Sequence, residues 1–290
     1  MRIAIYGKQS ASDNIGAVTS FVEKLLQSNV AITVFEHLRV PIEAAFGGHG
    51  IEFFTAHNQL AGCDFLVSFG GDGTLLDATT FGRDSELPIL GINTGRLGFL
   101  TEFGKDEIAE AADALLSQNY VIDKRALLKV ENSESDFDGY PYALNELTVH
   151  KKDTTSMITV DVHLNDMFLN SYWADGLIIS TPTGSTAYSL SCEGPILTPD
   201  NQSFIINPIA PHNLNVRPLV IPDNGHLSLT IQSRSNDFLA SIDSRSKSIG
   251  CQTVIKISKA PFSINLVRRP GQSFLNTLRH KLFWGTDRRN

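Results

Sequence analysis

Two rhythms in the sequence predict an α/β amino-terminal domain with a parallel sheet, followed by an all-β domain of layered sheets. The first 120 or so residues alternate short apolar runs with amphipathic helical patterns, whereas beyond about residue 124 apolar side chains recur at every second position. A chain of 290 residues also exceeds what one hydrophobic core comfortably serves, so two domains are expected.

In the first part, "RIAIY" reads as a strand. "DNIGAVTSFVEKLLQS" follows as a helix with Ile15, Val18, Val22, Leu25 and Leu26 on one face and Asp13 or Asn14 as its cap. "AITVF", "DFLVSF" and "PILGIN" are further strands. "KDEIAEAADALLSQ" is a second helix that buries Ile108, Ala111, Ala112, Leu115 and Leu116. In the second part, "MITVDVHL" and "HLSLTIQ" alternate apolar with polar residues as half-buried strands do. Short runs such as "LLKV", "LNELTVH", "LIIS", "FIIN", "LVI", "FLASI", "VIKI" and "SINLV" extend the pattern. The tail "SFLNTLRHKLFW" returns to helical spacing. The expected domains are therefore 1–124, with 268–290 packing back on it, and 125–267.

Composition narrows the class. With 42% hydrophobic and 19% charged residues the chain resembles a soluble globular enzyme, and no apolar run approaches the roughly 20 residues of a membrane span. A net charge of −7 without any basic block argues against nucleic acid as a partner. "MRIAIYGK" lacks the apolar stretch of a secretory signal, and Cys63, Cys192 and Cys251 form neither a disulfide framework nor a zinc motif. A reducing cytoplasm is expected. The histidines show no metal-ligand spacing, and Ser185 lacks the G-x-S-x-G elbow of a hydrolase.

"GGDGT" (70–74) directly follows the strand "DFLVSF", where ligands of open α/β sheets gather. Gly70, Gly71 and Gly73 leave main-chain N–H groups bare for a phosphate, and Thr74 is expected to cap the next helix. Asp72 is costly beside phosphates unless it has a metal or proton-transfer role. A purely structural Asp-Gly turn is the alternative. Neither a Walker sequence nor G-x-G-x-x-G is present. Farther on, "ALNELTVHK" sets Asn145 beside Glu146. At a strand end both reach a ligand, the amide matching a base edge and the carboxylate a sugar hydroxyl; mid-strand they point to opposite faces. "ADGLIISTPTGSTAYSLS" joins Asp175 to a hydroxyl-rich turn that ends in Tyr188, a ring available for stacking; the alternative is a polar loop bent at Gly184.

Together, "GGDGT", "NTGRLGFL", "LNELTVHK", "DGLIISTPTGSTAYSLSCEGPIL" and "NPIAPHNLNVRPLV" resemble the NAD kinase family in its bacterial form. "GGDGT" alone is shared with lipid kinases and resembles a phosphofructokinase motif, so the later blocks choose the family. The resemblance implies transfer of the terminal phosphoryl of ATP to the 2'-hydroxyl of the adenosine ribose of NAD, with Asp72 taking the hydroxyl proton. It implies that Gly70, Gly71, Gly73 and Thr74 hold the ATP phosphates and that magnesium arrives on the nucleotide. NAD contacts are implied for Asp72, Gly73, Asn145, Glu146, Asp175 and the loop residues Thr186, Ala187, Tyr188, Ser189, Leu190 and Ser191. Ser156, Trp173 and Arg245 fall at positions touching the same ligand, Arg245 where relatives often carry glutamine. Arg96 and His212 lie in matching blocks without an assigned role. A homotetramer is implied as well. Two other readings stay open: a lipid kinase of the diacylglycerol type, which needs an apolar acceptor cleft, and a sensor that binds NAD or NADP without turnover.

Overall fold

The computed structural model describes residues 1–8, 12–95, 98–132, 134, 135, 137–153, 156–213 and 215–283, without the side chains of 12–14. The expected cap at Asp13 or Asn14 and the position of Arg96 therefore lie outside what is described. The chain folds as two compact units: Met1–Lys124 joined by the segment from Ile264 onward, and Arg125–Ser263.

The first unit alternates β1 (Arg2–Gly7), α1 (Ser12–Gln27), β2 (Ala31–Phe35), α2 (Arg39–Phe46) and β3 (Glu52–Phe54). It continues through β4 (Phe65–Phe69), α3 (Asp72–Gly82), β5 (Ile89–Asn93), the two-residue β6 (Phe103–Gly104) and α4 (Ile108–Leu116). Its strands run parallel in the order β5-β4-β1-β2-β3. Consecutive apolar residues such as Phe65, Leu66 and Val67 are all buried, as strands covered on both faces require. One face of α1 places Val18, Phe21, Val22 and Leu25 in this core, and α4 adds Ile108, Ala111, Ala112 and Leu115. The expected Ile15, Leu26 and Leu116 are only half-buried, at the rim of each stripe. The eight-residue α2 and three-residue β3 escaped the reading of the sequence because both are too short to show a clear apolar period.

The second unit begins within β7 (Val121–Glu131) and adds β8 (Tyr142–Ala143), β9 (Glu146–His150), β10 (Ile158–Leu164), β11 (Met167–Ala174) and β12 (Gly176–Ser180). After the one-turn α5 (Tyr188–Ser191) come β13 (Ser203–Ile209), β14 (Leu219–Pro222), β15 (Leu227–Gln232), β16 (Asp237–Ile242) and β17 (Arg245–Gly250). One antiparallel sheet follows the order β14-β13-β12-β9-β16-β17. Facing it, β11, β10 and β15 pair in sequence with the start of β18 (Ile255–Arg268). Val160, Leu229 and Ile257 from one layer pack with Leu147, Ile179 and Phe204 from the other, which makes the layered core. "VIKI" and "SINLV", separate runs to the eye, are one 14-residue strand that re-enters the first unit from Ile264, pairing Leu266 with Ile89. Helix α6 (Phe274–Leu282) follows, capped by Ser273, whose hydroxyl accepts from the Asn276 amide at 3.2 Å. No helix of the described residues is long and apolar enough to cross a membrane.

Candidate functional site

The sheet order of the first unit reverses between β4 and β1, so the turn after β4 sits at the switch point where such sheets leave a crevice. The turn is tighter than its sequence implies. Helix α3 starts at Asp72 with Gly71 as its N-cap, so Thr74 lies inside the first turn, its amide bonded to the Gly71 carbonyl at 3.0 Å. The expected cap at Thr74 is therefore incorrect: Asp72 has already taken helical geometry two residues earlier. Of the three glycines, only Gly70 has a left-handed backbone, φ 151°, and a Cβ there would strike the Thr74 side chain. At Gly71 and Gly73 a Cβ would meet open space, so these two keep the turn bare rather than foldable.

Asp72 does not cap its own helix. Its carboxylate turns to the segment after β5, where Phe99 N–H donates to Oδ2 at 2.7 Å and the amides of Leu100 and Thr101 donate to Oδ1 at 3.1 and 3.2 Å. The Thr101 hydroxyl lies 3.4 Å from Oδ1 and accepts from Asn93 Nδ2 at 3.1 Å and Gly98 N–H at 3.0 Å. A Cβ at Gly98 would overlap the Asp72 carboxyl group, so any other residue there must push that carboxylate off its donors. The "NTG…GFLT" stretch thus serves Asp72 through main chain, which composition could not reveal. Lys281 on α6 is close enough to feel the Asp72 charge, which raises its pKa against the larger, lowering effect of burial.

In the second unit, Asn145 immediately precedes β9 and Glu146 opens it, each 8% exposed. Their backbone is fixed by Asp243 in the β16–β17 turn: its carboxylate accepts from the amides of Leu144 (2.9 Å), Asn145 (2.8 Å) and Glu146 (3.2 Å). Nothing in the sequence around Asp243 signals this role. The turn from Thr181 to Thr186 is drawn onto the same place, since the Thr181 N–H donates to Asn145 O at 2.9 Å. Instead of an open loop, residues 183–186 form a short 3-10 turn and 188–191 a single helical turn. Ser189 is buried against Asn207, whose side-chain amide donates to the carbonyls of Ser189 and Cys192 at 2.9 and 3.2 Å. Thr186, Ala187 and Leu190 are half-buried, and Ser191 is exposed. Tyr188 leaves 40% of its surface open; its hydroxyl and the Cys192 thiol share a hydrogen bond.

Burial, with the Asp243 charge second, pushes the Glu146 carboxyl up to about 8, and the Tyr188 N–H only partly opposes it. Burial raises Asp243 too, and its three amide donors and the nearby Arg245 counter part of that rise. Glu146 Oε2 is buried with no hydrogen-bond partner among the described residues. A folded carboxyl with a raised pKa holds its proton where the unfolded chain has lost it, so stability falls as pH rises from about 4.5 to about 8. Glu146→Gln is free of this loss. Its melting-temperature advantage over the parent is expected to grow across that window and level off above it, a difference of the order of a few kcal/mol. Parallel pH profiles for the two proteins would overturn this.

Asp175 pairs with Lys151 at 2.6 Å, and its charge reaches Tyr188. Ser156 and Trp173 line a separate cavity of about 350 Å³ together with Gln232 and Arg234. Ser156 Oγ is buried there without a partner among the described residues. His212 stacks on Trp173 with ring centroids 4.4 Å apart and donates its backbone N–H to the Trp173 carbonyl. Arg245 opens β17 and reaches across to a neighbouring loop. Its guanidinium donates to the carbonyls of Phe137, Tyr140 and Tyr142 and packs over the Tyr140 ring, so its donors tie down the 137–142 loop.

The first unit carries a glycine-aspartate turn at the switch point of its parallel sheet, and the β-layered unit carries a buried amide-and-carboxylate pair, features that suit a phosphotransferase that uses a nucleotide. The match to known sequences is specific. The ATP-NAD kinase N-terminal domain matches residues 19–120 and the ATP-NAD kinase C-terminal domain matches residues 144–269. The chain belongs to the ATP-NAD kinase family. It is 46% identical to the NAD kinase of Flavobacterium psychrophilum and 44% identical to that of Bacteroides fragilis strain ATCC 25285, covering the whole of both chains in each case. Among solved structures it resembles an Archaeoglobus fulgidus NAD kinase in complex with ATP (26% identity, TM-score 0.77, 98% and 99% of the two chains). It also shares its fold with yeast NADH kinase complexed with NADH (23% identity, TM-score 0.89, 99% and 88%). The match over residues 144–269 favours this family over a lipid kinase.

Proposed function

We propose that the protein transfers the terminal phosphoryl of ATP to the 2'-hydroxyl of the adenosine ribose of NAD, giving NADP and ADP. The observation that carries this reading is the Asp72 carboxylate held in one orientation by main-chain donors at the start of α3. As the ribose oxygen bonds to the γ-phosphorus, the bond to the β-phosphate oxygen breaks and the hydroxyl proton passes to Asp72. Oδ2, which accepts a single amide, is the oxygen left to take it, since Oδ1 already faces three donors. Gly71 and Gly73 offer bare main chain at the start of α3 to the ATP phosphates, while the N–H groups of the flanking Gly70 and Thr74 are taken by the Ile92 and Gly71 carbonyls.

In this reading the second unit is the NAD domain. Glu146 accepts from the ribose hydroxyls through its free oxygen, Asn145 meets the adenosine, and Tyr188 stacks on the base with Ala187 and Ser189 supporting it. Asp175, Ser156 and Trp173 touch the rest of the dinucleotide, and Arg245 acts by holding the 137–142 loop. Magnesium would arrive held by the nucleotide's own phosphates. That ion would offset phosphate charge during transfer.

Incubation with ATP, magnesium and NAD is expected to yield NADP, and diacylglycerol in place of NAD to yield nothing. NAD bound tightly without any NADP formed would support a sensor instead. We further place the protein in the cytoplasm, where the free thiols of Cys63, Cys192 and Cys251 persist. A homotetramer is supported by the edge strand β11, which exposes Met167, Phe168 and Trp173. A solution mass equal to one chain would remove that part of the reading.

A further inference from the structure

We propose that Arg268, on the strand that returns to the first unit, is a positioning residue for Asp72 and acts through the segment 99–102. The guanidinium reaches three places at once: Nη2 donates to the Phe99 carbonyl at 3.1 Å, Nη1 to Glu102 Oε2 at 3.1 Å, and Nε to Asp123 Oδ2 at 3.3 Å. The Arg269 amide adds a bond to Glu102 Oε1 at 3.2 Å, and the Glu102 amide donates to Gly91 on β5 at 2.9 Å. Both ends of the segment are thereby tied.

The link to Asp72 is a single peptide plane. The Phe99 carbonyl that accepts from Arg268 and the Leu100 N–H that donates to Asp72 Oδ1 belong to one planar amide, so fixing one end of that dipole fixes the other. Arg268 and Glu102 are shielded, with side chains 12% and 3% exposed, so water competes little for these bonds. The far carboxyl end of the sequence thus orients a group that lies almost two hundred residues earlier.

This inference rests on Asp72 being the base, and the test separates the two. Arg268→Lys keeps a cation near Glu102 and Asp123, but a compact ammonium cannot hold the three-way fork. It is expected to lower kcat about tenfold while KM for NAD and for ATP stays close to the parent's. In an Asp72→Asn background the same substitution is expected to change the residual rate by less than about twofold. An equal loss in both backgrounds, or an unchanged kcat in the parent background, overturns the inference while leaving Asp72 as the base. Full turnover by Asp72→Asn alone overturns the reading of Asp72 and the inference with it. Where Arg268→Lys folds poorly, Glu102→Gln is the second variant, with the same expectations. Amide hydrogen exchange gives a direct readout: the Leu100 amide is expected to exchange faster in either variant while β1 and β4 keep their protection. Unchanged protection at Leu100 overturns the inference.

Discussion

Asp72→Asn is expected to lower kcat by at least about a hundredfold with NAD still bound, the loss characteristic of removing a placed general base. The substitution is nearly isosteric, but its consequences differ at the two oxygens. The asparagine carbonyl can replace Oδ1 and keep the three donors of Leu100 and Thr101, whereas its NH2 must then face the Phe99 N–H. One half-buried donor is left unpaired, costing about 1 kcal/mol. The melting temperature should therefore fall by a few degrees, far too little to explain the lost turnover. Asp72→Glu is expected to be no better: the carboxylate sits so close to Gly98 that an added methylene displaces it from its donors. Steady-state kinetics of both variants beside their thermal melts checks this, and Asp72→Asn with near-parental kcat would place the base elsewhere.

Gly184→Ala is expected to strike the second unit almost as hard. A Cβ at this position would press on the Asn145 carbonyl, with the Asn145 carbonyl carbon and Ser180 Oγ each only 2.6 Å away. Backbone cannot swing aside as a side-chain tip does. The turn 181–186 must back away, breaking the Thr181 bond to Asn145 and carrying the Tyr188 N–H off Glu146. Overpacking of this kind costs about 1–3 kcal/mol or more. KM for NAD should rise at least about tenfold while KM for ATP stays near its parental value. A variant that melts lower but keeps its KM for NAD would mean that the turn and the Asn145–Glu146 pair are not coupled as described.

The sequence told much of this, and unevenly. Strands β1, β2, β4 and β5 and helices α1 and α4 were legible because each carries a full apolar period of its own. The exposed-edge strand β11 was not, since "MFLNSYWA" leaves apolar residues on both faces. The pairs Asn145–Glu146 and "GGDGT" stood out as chemical oddities among strands and turns. Residues that act through main chain left no such trace: Phe99, Leu100 and Thr101 contribute amide hydrogens, which every residue but proline owns. Asp243 and Arg245 were visible as types, but their partners lie about a hundred residues away in the chain.

By itself the sequence determined the class: an α/β unit ahead of a β-layered one, with an aspartate on a stripped turn and a family signature spread along the chain. Only the tertiary structure decided how that aspartate is held, which oxygen remains open, why a methyl group at Gly98 or Gly184 would displace its neighbours, and why the Glu146 carboxyl holds its proton to higher pH. Periodicity and residue type are local properties and can be read along a line. Hydrogen-bond direction, steric exclusion and desolvation depend on segments remote in sequence meeting in space, and a line of letters does not contain that meeting.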